Sequence, residues 1–284
     1  MSPETREATR AEAGGAVEAA ATGAGDPVDS APSPRAPAGG GSDRGATGGV
    51  IVEEADLAEQ SRLLTEEGAG PLAQAEAVVA WLAARYLPGV VLACGFGVED
   101  CLLVDLLSRV APAVGVFYLD TQLLFPETYA TRDRLVERYG IHPVAVRPRQ
   151  TVEEQAEALG PALWGRDPDL CCRLRKVEPL TRILSGQRAW ITGVRREQGP
   201  TRARTPLLEW DRRFGLAKGN PLAAWTARDV WRYVHDQDVP YNPLHDRGYP
   251  SLGCWPCTRA VRAGEDPRAG RWSGFAKTEC GLHG

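Results

Sequence analysis

Short apolar runs alternate with helical segments from residue 72 onward, and this alternation constrains the fold more than any other feature of the sequence. Apolar residues recur at helical spacing from Leu72 to Tyr86, and further helices are predicted over residues 99–110 and from Pro126. Buried strands are predicted at residues 90–93, 114–119, 144–146 and 189–192. This order predicts an α/β fold, with a mainly parallel sheet covered by helices on both faces.

The first 49 residues differ in composition from the rest of the chain. They contain no aromatic residue, no Leu and no Ile, so they cannot bury enough apolar surface to offset the entropy lost on ordering. We therefore predict a disordered Ala/Gly/Pro-rich tail over residues 1–49, an α/β domain over residues 50–265 and a mobile C-terminal segment over residues 266–284. The tail lacks the apolar stretch of a secretory signal, which favours a cytoplasmic location.

Charge and hydropathy argue against two classes of function. The formal net charge of −4 argues against a general nucleic-acid-binding protein. No run of 18 apolar residues is present, so no transmembrane helix and no membrane partner are predicted. A homo-oligomer is compatible with both properties.

The spacing of the cysteines is more informative than their number, which is seven. The adjacent Cys171 and Cys172, with Cys254 and Cys257 in a CxxC pair, supply four thiolates, which zinc, copper(I) and iron–sulfur clusters prefer as ligands. Neighbouring residues rarely place both sulfurs on one zinc ion, whereas separate irons of a cluster can each take one. The spacing favours a 4Fe–4S cluster, with a zinc site or uncoordinated structural cysteines as alternatives.

Basic residues follow both cysteine pairs and predict a pocket for a multiply charged anion where the pairs converge. They are Arg173, Arg175, Lys176, Arg259, Arg262, Arg268 and Arg271. The alternative is a solvated helix face, on which nearby acidic residues pair with several of them. Cys280 stands apart, close to the end of the sequence, where a mobile segment would bring one thiol to two partners in turn.

Polar segments follow three predicted strands, at the carboxyl ends where parallel sheets bind ligands. Residues 95–100 form a glycine-containing turn into a helix, which can cradle a phosphate with its backbone N–H groups. An ordinary tight turn is the alternative. The other two segments are Asp120-Thr121 and residues 193–198.

Several long motifs extend these observations. They are FGVED (96–100), LDTQLLFPET (119–128), CCRLRKVEPL (171–180), ITGVRREQGPTR (191–202), NPLAAWTARDVW (220–231), YNPLHDRGYPSLGCWPCTR (241–259) and KTECGLH (277–283). In these motifs the chain resembles the thioredoxin-dependent adenylyl-sulfate and phosphoadenylyl-sulfate reductases, from about residue 90 to the end. The resemblance implies an adenine-nucleotide hydrolase-like fold, related to the ATP pyrophosphatases.

The two branches of this family differ in their cysteines. Members with both cysteine pairs hold a 4Fe–4S cluster and mainly reduce adenosine 5′-phosphosulfate; members without them use the 3′-phosphorylated nucleotide, and some cluster-bearing members accept both. The resemblance therefore implies reduction of adenosine 5′-phosphosulfate to sulfite and AMP in sulfate assimilation and cysteine biosynthesis. It also implies thioredoxin as the reductant and one cluster in each chain.

The resemblance also implies a role for individual residues. The cluster ligands would be Cys171, Cys172, Cys254 and Cys257, and Cys280 would be the nucleophile that forms an S-sulfonate. The residues around the phosphosulfate would be Lys176, Arg268, Arg271 and His283. Those lining the nucleotide site would be Phe96, Gly97, Glu99, Asp100, Asp120, Thr121, Arg195 and Arg196.

The chain departs from the family pattern at two positions, with Gly95 where the family usually has Ser and Gln122 where it usually has Gly. Two other functions were weighed. A zinc-stabilised ATP pyrophosphatase would carry a Ser-Gly-Gly-x-Asp-Ser type loop, which residues 95–100 do not match. A non-enzymatic redox sensor would have no need of the additional thiol at Cys280.

Overall fold

The computed structural model describes residues 46–66, 70–277 and 279–282. Residues 1–45 of the predicted tail and His283 lie outside the described residues. The first described helix begins at Ala46, ahead of the boundary predicted at residue 50. In these ranges, no helix combines the length and the apolar character that a membrane crossing requires.

A six-stranded sheet in the order β3-β2-β1-β4-β6-β5 organises the described part of the chain. The strands are β1 (Val90–Ala93), β2 (Gly115–Leu119), β3 (Val144–Val146), β4 (Ala189–Ile191), β5 (Leu208–Asp211) and β6 (Leu216–Gly219). All neighbours pair in parallel except the edge strand β5, which runs antiparallel to β6. The predicted α/β class with a mainly parallel sheet is confirmed.

Helices fill the connections between the strands. They are α1 (Ala46–Glu66), α2 (Pro71–Tyr86), α3 (Val98–Val110), α4 (Pro126–Tyr139), α5 (Val152–Leu159), α6 (Leu163–Arg166), α7 (Pro168–Cys172), α8 (Glu178–Leu184) and α9 (Ala227–Asp236). A π-helical turn, Arg173–Val177, joins α7 to α8. Helix α4 begins at its first-turn proline and ends at Gly140, which takes the left-handed conformation (φ 63°). The three helices predicted from apolar spacing are confirmed.

Two hydrophobic clusters cover the two faces of the sheet, because successive strand residues point to opposite sides. Val116 and Ile191 join the larger cluster, together with buried residues of α2, α3 and α9. Phe117 and Trp190, their neighbours in sequence, join the smaller cluster, which α8 covers with Leu180 and Leu184. Each such large side chain contributes roughly 1.5–3 kcal/mol through burial.

The strand order places a topological switch point between β1 and β4. From β1 the chain proceeds outward through β2 to β3, whereas after β4 it crosses to the other side of the sheet, first to the edge strand β5 and then back to β6, which lies beside β4. The loops that follow β1 and β4 therefore leave the sheet in opposite directions and open a crevice at the carboxyl edge. The fold alone thus predicts where a ligand binds.

Strands β5 and β6 were not among the predicted elements. Strand β6 contains Lys218, which is 8% exposed and breaks the apolar run expected of a buried strand. Its Nζ lies 3.1 Å from Oε1 of Glu209 on β5 and 5.5 Å from the centre of the Trp190 ring. These two contacts, made only after pairing, stabilise the lysine between its neighbours.

Candidate active site

A cavity of about 700 Å³, the main cavity, opens at the switch point beside the carboxyl ends of β1, β2 and β4. Its lining includes residues 95–100, Thr121 and residues 192–195, so the three polar segments predicted from the sequence converge. Small-molecule sites typically have volumes of about 300–1,000 Å³. The main cavity therefore has the size and position of a nucleotide site.

The turn after β1 is closed by its own side chains. The Gly95 N–H donates a hydrogen bond to Oδ2 of Asp100 at 2.7 Å. Phe96 takes the left-handed conformation (φ 59°), and its buried ring packs edge-on against Tyr118 with 5.2 Å between centroids. Burial raises the pKa of Asp100 to about 7, although the Gly95 and Gly97 N–H groups oppose the shift. Phe96, Gly97, Glu99 and Asp100 all line the main cavity, as the resemblance implied.

Gly95 in this turn and Gly193 beside it differ in whether the structure leaves room for a side chain. A Cβ on Gly95 would meet only Oδ2 of Asp100, at 3.2 Å, so the backbone does not demand glycine there. A Cβ on Gly193, just beyond β4, would lie 2.7 Å from Oδ1 of Asp100 and 3.0 Å from Cβ of Glu99. Gly193 therefore provides the space that the turn occupies.

Arg195 connects the loop after β4 to the turn after β1. Its Nε donates to Oε1 of Glu99 at 2.9 Å, and its Nη1 donates to Oε2 of Glu197 at 2.8 Å. Arg195 lines the main cavity. The neighbouring Arg196 points elsewhere, since its Nε donates to the backbone oxygen of Thr205 at 2.8 Å and it does not line the cavity. The structure brings only the first of this predicted pair to the site.

Of the two residues predicted at the strand end after β2, Thr121 lines the main cavity and Asp120 does not. Thr121 lines the main cavity, and its Oγ1 lies 3.3 Å from Sγ of Cys254. Asp120 is buried and accepts hydrogen bonds from the Tyr129 hydroxyl at 2.6 Å and from Nε of Arg147 at 3.1 Å. Asp120 is absent from the cavity lining, so the structure gives its carboxylate a supporting position at this strand end.

Gln122 departs from the family pattern at a position that favours glycine. Its φ of 59° lies in the left-handed region, which side chains rarely adopt. Its Oε1 accepts a hydrogen bond from Nη2 of Arg175 at 2.8 Å, and Nε of Arg175 donates to the Thr121 backbone oxygen at 2.8 Å. Arg175 is only 1% exposed. It therefore stabilises this strand end, and its hydrogen bond to Gln122 offsets part of the strain.

Four thiols surround a second, smaller cavity, the thiol cavity. They belong to Cys171, Cys172, Cys254 and Cys257, and the walls include Leu123, Trp164, Pro168 and Trp272. Among the residues that the structure describes, no three His, Cys, Asp or Glu side chains converge on a single metal-ion position. The thiols face one shared space, whose other walls are apolar except for Arg175 and Lys176, and soft thiolate donors beside cations fit an anionic iron–sulfur cluster.

Charge links the two cavities. Burial raises the pKa of the Cys171 thiol to about 12 and that of Cys257 to about 11, and repulsion among the thiols adds to both shifts. Lys176 lines both cavities. Burial opposes its charge, but the Cys254 and Cys280 thiols raise its pKa overall. Lys176 is therefore a cation placed between the thiols and the main cavity.

Arg268 and Arg271 add positive charge to the main cavity, whose lining includes both. The Arg271 guanidinium donates from Nη1 to the Leu252 backbone oxygen at 2.7 Å and lies 4.5 Å from the Trp272 ring centre. A Cβ on Gly253 would lie 2.3 Å from Nη2 of Arg271, so glycine makes room for this side chain. Lys176, Arg268 and Arg271, three of the four residues that the resemblance implies around the phosphosulfate, thus line one cavity.

Cys280 lies in the main cavity, although it is remote in sequence from the strands that form it. The segment around it is docked on the domain: Arg213 donates to the Gly281 backbone oxygen, and Leu282 packs against the smaller hydrophobic cluster. Lys176 and the Cys280 thiol line this same cavity. The thiol, the cations and the turn after β1 therefore share one space.

Arg202 is a cavity residue to which the sequence motifs assigned no role. Arg202 lines the main cavity and binds Glu279, the neighbour of Cys280. It lies in the motif of residues 191–202, so the motif was noticed while this arginine was not assigned a role. Its function depends on a contact between segments 77 residues apart, which no local pattern indicates.

The fold and the site define a class of protein, an α/β protein with a ligand-sized cavity at the carboxyl edge of a mainly parallel sheet and a cysteine thiol in that cavity. Residues 89–260 match the family model described as phosphoadenosine phosphosulfate reductase domain. The chain is 49% identical over 214 residues to adenosine 5′-phosphosulfate reductase 1 of Bacillus subtilis, covering 75% of this chain and 92% of the relative. The chain therefore belongs to the phosphoadenosine phosphosulfate reductase family.

Two further comparisons agree. The adenosine 5′-phosphosulfate reductase of Mycolicibacterium smegmatis is 49% identical over 224 residues, which cover 78% of this chain and 94% of the relative. The crystal structure of phosphoadenylyl-sulfate reductase from Candida auris, a phosphate complex, superposes with a TM-score of 0.63 at 30% identity. That superposition covers 72% of this chain and 96% of the other. The family resemblance inferred from the motifs is confirmed.

Proposed function

We propose that this enzyme reduces adenosine 5′-phosphosulfate to sulfite and AMP in the cytoplasm, as a step of sulfate assimilation, with thioredoxin as the reductant. The observation that carries the proposal is the position of the Cys280 thiol, in the same cavity as the turn after β1 and a group of cations. The two relatives described above bear the name of this activity.

The lining of the main cavity supports a proposed place for each part of the substrate. The nucleotide lies along the turn of residues 96–100 and beside Thr121 and Arg195. The phosphosulfate faces Lys176, Arg268 and Arg271, with His283 as the fourth expected contact. These cations are needed because a thiolate approaching an anionic sulfate would otherwise be repelled.

The reaction then proceeds in two steps at Cys280. Its thiolate attacks the sulfur of the sulfate, the bond from sulfur to the phosphate oxygen breaks, and AMP leaves with the electron pair. A thioredoxin thiolate next attacks Sγ of the resulting S-sulfonate, which releases sulfite and forms a mixed disulfide. The second thioredoxin thiol attacks this disulfide, returns Cys280 as a thiol and leaves thioredoxin oxidised. We propose that the C-terminal segment, residues 266–284, moves between these two steps, so that Cys280 meets first the nucleotide and then thioredoxin.

The thiol cavity would hold one 4Fe–4S cluster per chain through Cys171, Cys172, Cys254 and Cys257. When bound, the cluster would adjust the electrostatic field at the substrate rather than carry the electrons. Lys176 connects the proposed cluster site to the proposed substrate site, because it lines both cavities. The residue that the chain itself contributes is Lys176, a cation between the thiol cavity and the main cavity.

An assay of sulfite release tests the proposed function. Purified enzyme with reduced thioredoxin is expected to release sulfite from adenosine 5′-phosphosulfate, and omission of thioredoxin is expected to limit release to a single turnover at most. The 3′-phosphorylated nucleotide is compared in parallel. Sulfite from that nucleotide alone would overturn the assigned substrate, and sulfite from neither would overturn the reductase assignment. Pyrophosphate formed from ATP would instead support the pyrophosphatase alternative.

The variant Gly193→Ala is expected to lower kcat/KM about tenfold, mainly by raising KM for the nucleotide, because its methyl group displaces the turn after β1. Steady-state kinetics with varied nucleotide measures the effect. Gly186→Ala is the matched control, since a Cβ at Gly186 meets no atom within 4 Å. Identical kinetics for the two variants would contradict the role of Gly193.

A further inference from the structure

The Glu279 carboxylate is bound by two guanidinium groups. Arg202 donates to it twice, from Nε to Oε1 at 3.1 Å and from Nη2 to Oε2 at 2.8 Å. Arg268 donates once, from Nη2 to Oε2 at 3.1 Å. The Arg202, Glu279 and Arg268 side chains are 12%, 19% and 23% exposed. Limited access of water makes these charge-assisted hydrogen bonds stronger than surface ion pairs.

Arg202 is itself held in place from the nucleotide side of the cavity. Its Nη1 donates to Oε1 of Gln198 at 2.6 Å. Nε2 of Gln198 in turn donates to Oε1 of Glu99 at 3.1 Å, in the turn after β1. A continuous series of hydrogen bonds therefore runs from this turn to the residue that precedes Cys280. Its fixed geometry reduces the entropy lost when Arg202 binds Glu279.

We propose that Arg202 is a positioning residue, which holds the Cys280 thiol in the main cavity by binding Glu279. The inference rests on the proposed function only in taking Cys280 as the nucleophile. Arg268 faces the phosphosulfate in the proposed mechanism, so it divides its charge between substrate and Glu279. Arg202 makes the two-point contact and is the one of the two with no assigned role at the substrate.

The contacts on either side of Cys280 have different strengths. After the cysteine, Leu282 packs against Phe214 and its neighbours, and Arg213 binds a backbone oxygen. Before it, the paired charges of Arg202 and Glu279 are the direct connection to the cavity loop. Loss of this ion pair loosens the side of the segment that joins the thiol to the domain, although the Arg268 hydrogen bond to Glu279 and the Lys277–Asp169 ion pair remain. The thiol would then spend less time in the cavity and more time in solvent.

Alkylation of Cys280 measures this position without requiring turnover. The enzyme without nucleotide is treated with iodoacetamide, and the peptide containing Cys280 is quantified over time by mass spectrometry. Arg202→Gln and Glu279→Gln are each expected to raise the rate of Cys280 alkylation about tenfold. The double variant is expected to react no faster than Glu279→Gln alone, because that variant already removes the Arg202 interaction.

Kinetics separate positioning from a general loss of structure. Arg202→Gln is expected to slow S-sulfonate formation in a single turnover about tenfold while KM for the nucleotide stays within about twofold, and Arg202→Lys is expected to recover part of the rate. The control Glu127→Gln removes an ion pair of similar length, 3.0 Å to Arg247, that involves no cavity residue. It is expected to leave alkylation and turnover unchanged.

The outcomes distinguish this inference from the proposed function. Unchanged Cys280 alkylation in Arg202→Gln and Glu279→Gln, in an enzyme that releases sulfite normally, would overturn the positioning role alone. Failure of the unmodified enzyme to release sulfite would overturn the function, whatever the alkylation rates. Should Arg202→Gln fold poorly, an unchanged alkylation rate in Glu279→Gln still overturns the role, because that variant removes the Arg202 contact together with the Arg268 contact.

Discussion

Cys280→Ser is expected to lower sulfite release about 10³-fold or more while the visible absorption of the iron–sulfur cluster persists. A serine hydroxyl is scarcely ionised near neutral pH and cannot replace the thiolate as a nucleophile. The cluster is expected to persist because Cys280 lies in the main cavity and does not line the thiol cavity. A sulfite assay and an absorption spectrum of the same sample measure both results.

A second thiol provides the control for this result. Cys101 is fully buried on α3 and lines neither cavity. Cys101→Ala is expected to cost about 1 kcal/mol of unfolding free energy through the small void it leaves, with activity retained. Normal sulfite release by Cys280→Ser would remove Cys280 from the mechanism.

Cys254→Ser is expected to lose the cluster, so that bound iron falls from about four atoms per chain to less than one. A hydroxyl is a poor ligand for iron where thiolates normally bind, and this position also contacts Thr121 at the edge of the main cavity. Activity is expected to fall with the iron, because the electrostatic field at the substrate changes. Iron and acid-labile sulfide analysis, with the visible spectrum, measures the loss.

The same analysis decides between the metal alternatives. One zinc per unmodified chain, with no visible chromophore, would contradict the cluster, and full iron in Cys254→Ser would contradict this ligand. Circular dichroism provides the control for folding. The helix signal is expected to persist in Cys254→Ser, since the larger hydrophobic cluster does not include the four ligand cysteines.

The predictable parts of this fold are those that depend on local chemistry. The helix from Pro126 and the strand at residues 90–93 were found because a first-turn proline and a short apolar run each act within a few residues. Strand β6 was missed because Lys218 is compatible with burial only beside Glu209 and Trp190. Such pairings are created by the fold and leave no periodic signal.

The site, like the fold, has parts that local sequence predicts and parts that depend on contacts created by the fold. Motifs and resemblance located the cysteines and the turn after β1, yet they could not indicate which way Arg175 or Arg196 points. Arg175 binds backbone oxygens at a strand end, and Arg196 turns toward Thr205. A guanidinium group serves equally well for anions and for carbonyl groups. Only the positions of the surrounding backbone determine which of these it binds.

The Lys277 side chain sets the reach of the reactive thiol. It forms an ion pair with Asp169 of α7 and lies 5.6 Å from the centre of the Trp272 ring. Cys280 follows three residues later, and an extended chain of that length spans at most about 11 Å. A redox partner that reduces the S-sulfonate proposed at Cys280 therefore has to approach the rim of the cavity within this radius while the ion pair holds. The tether that raises the local concentration of the thiol at the substrate also restricts the region in which a second protein can meet it.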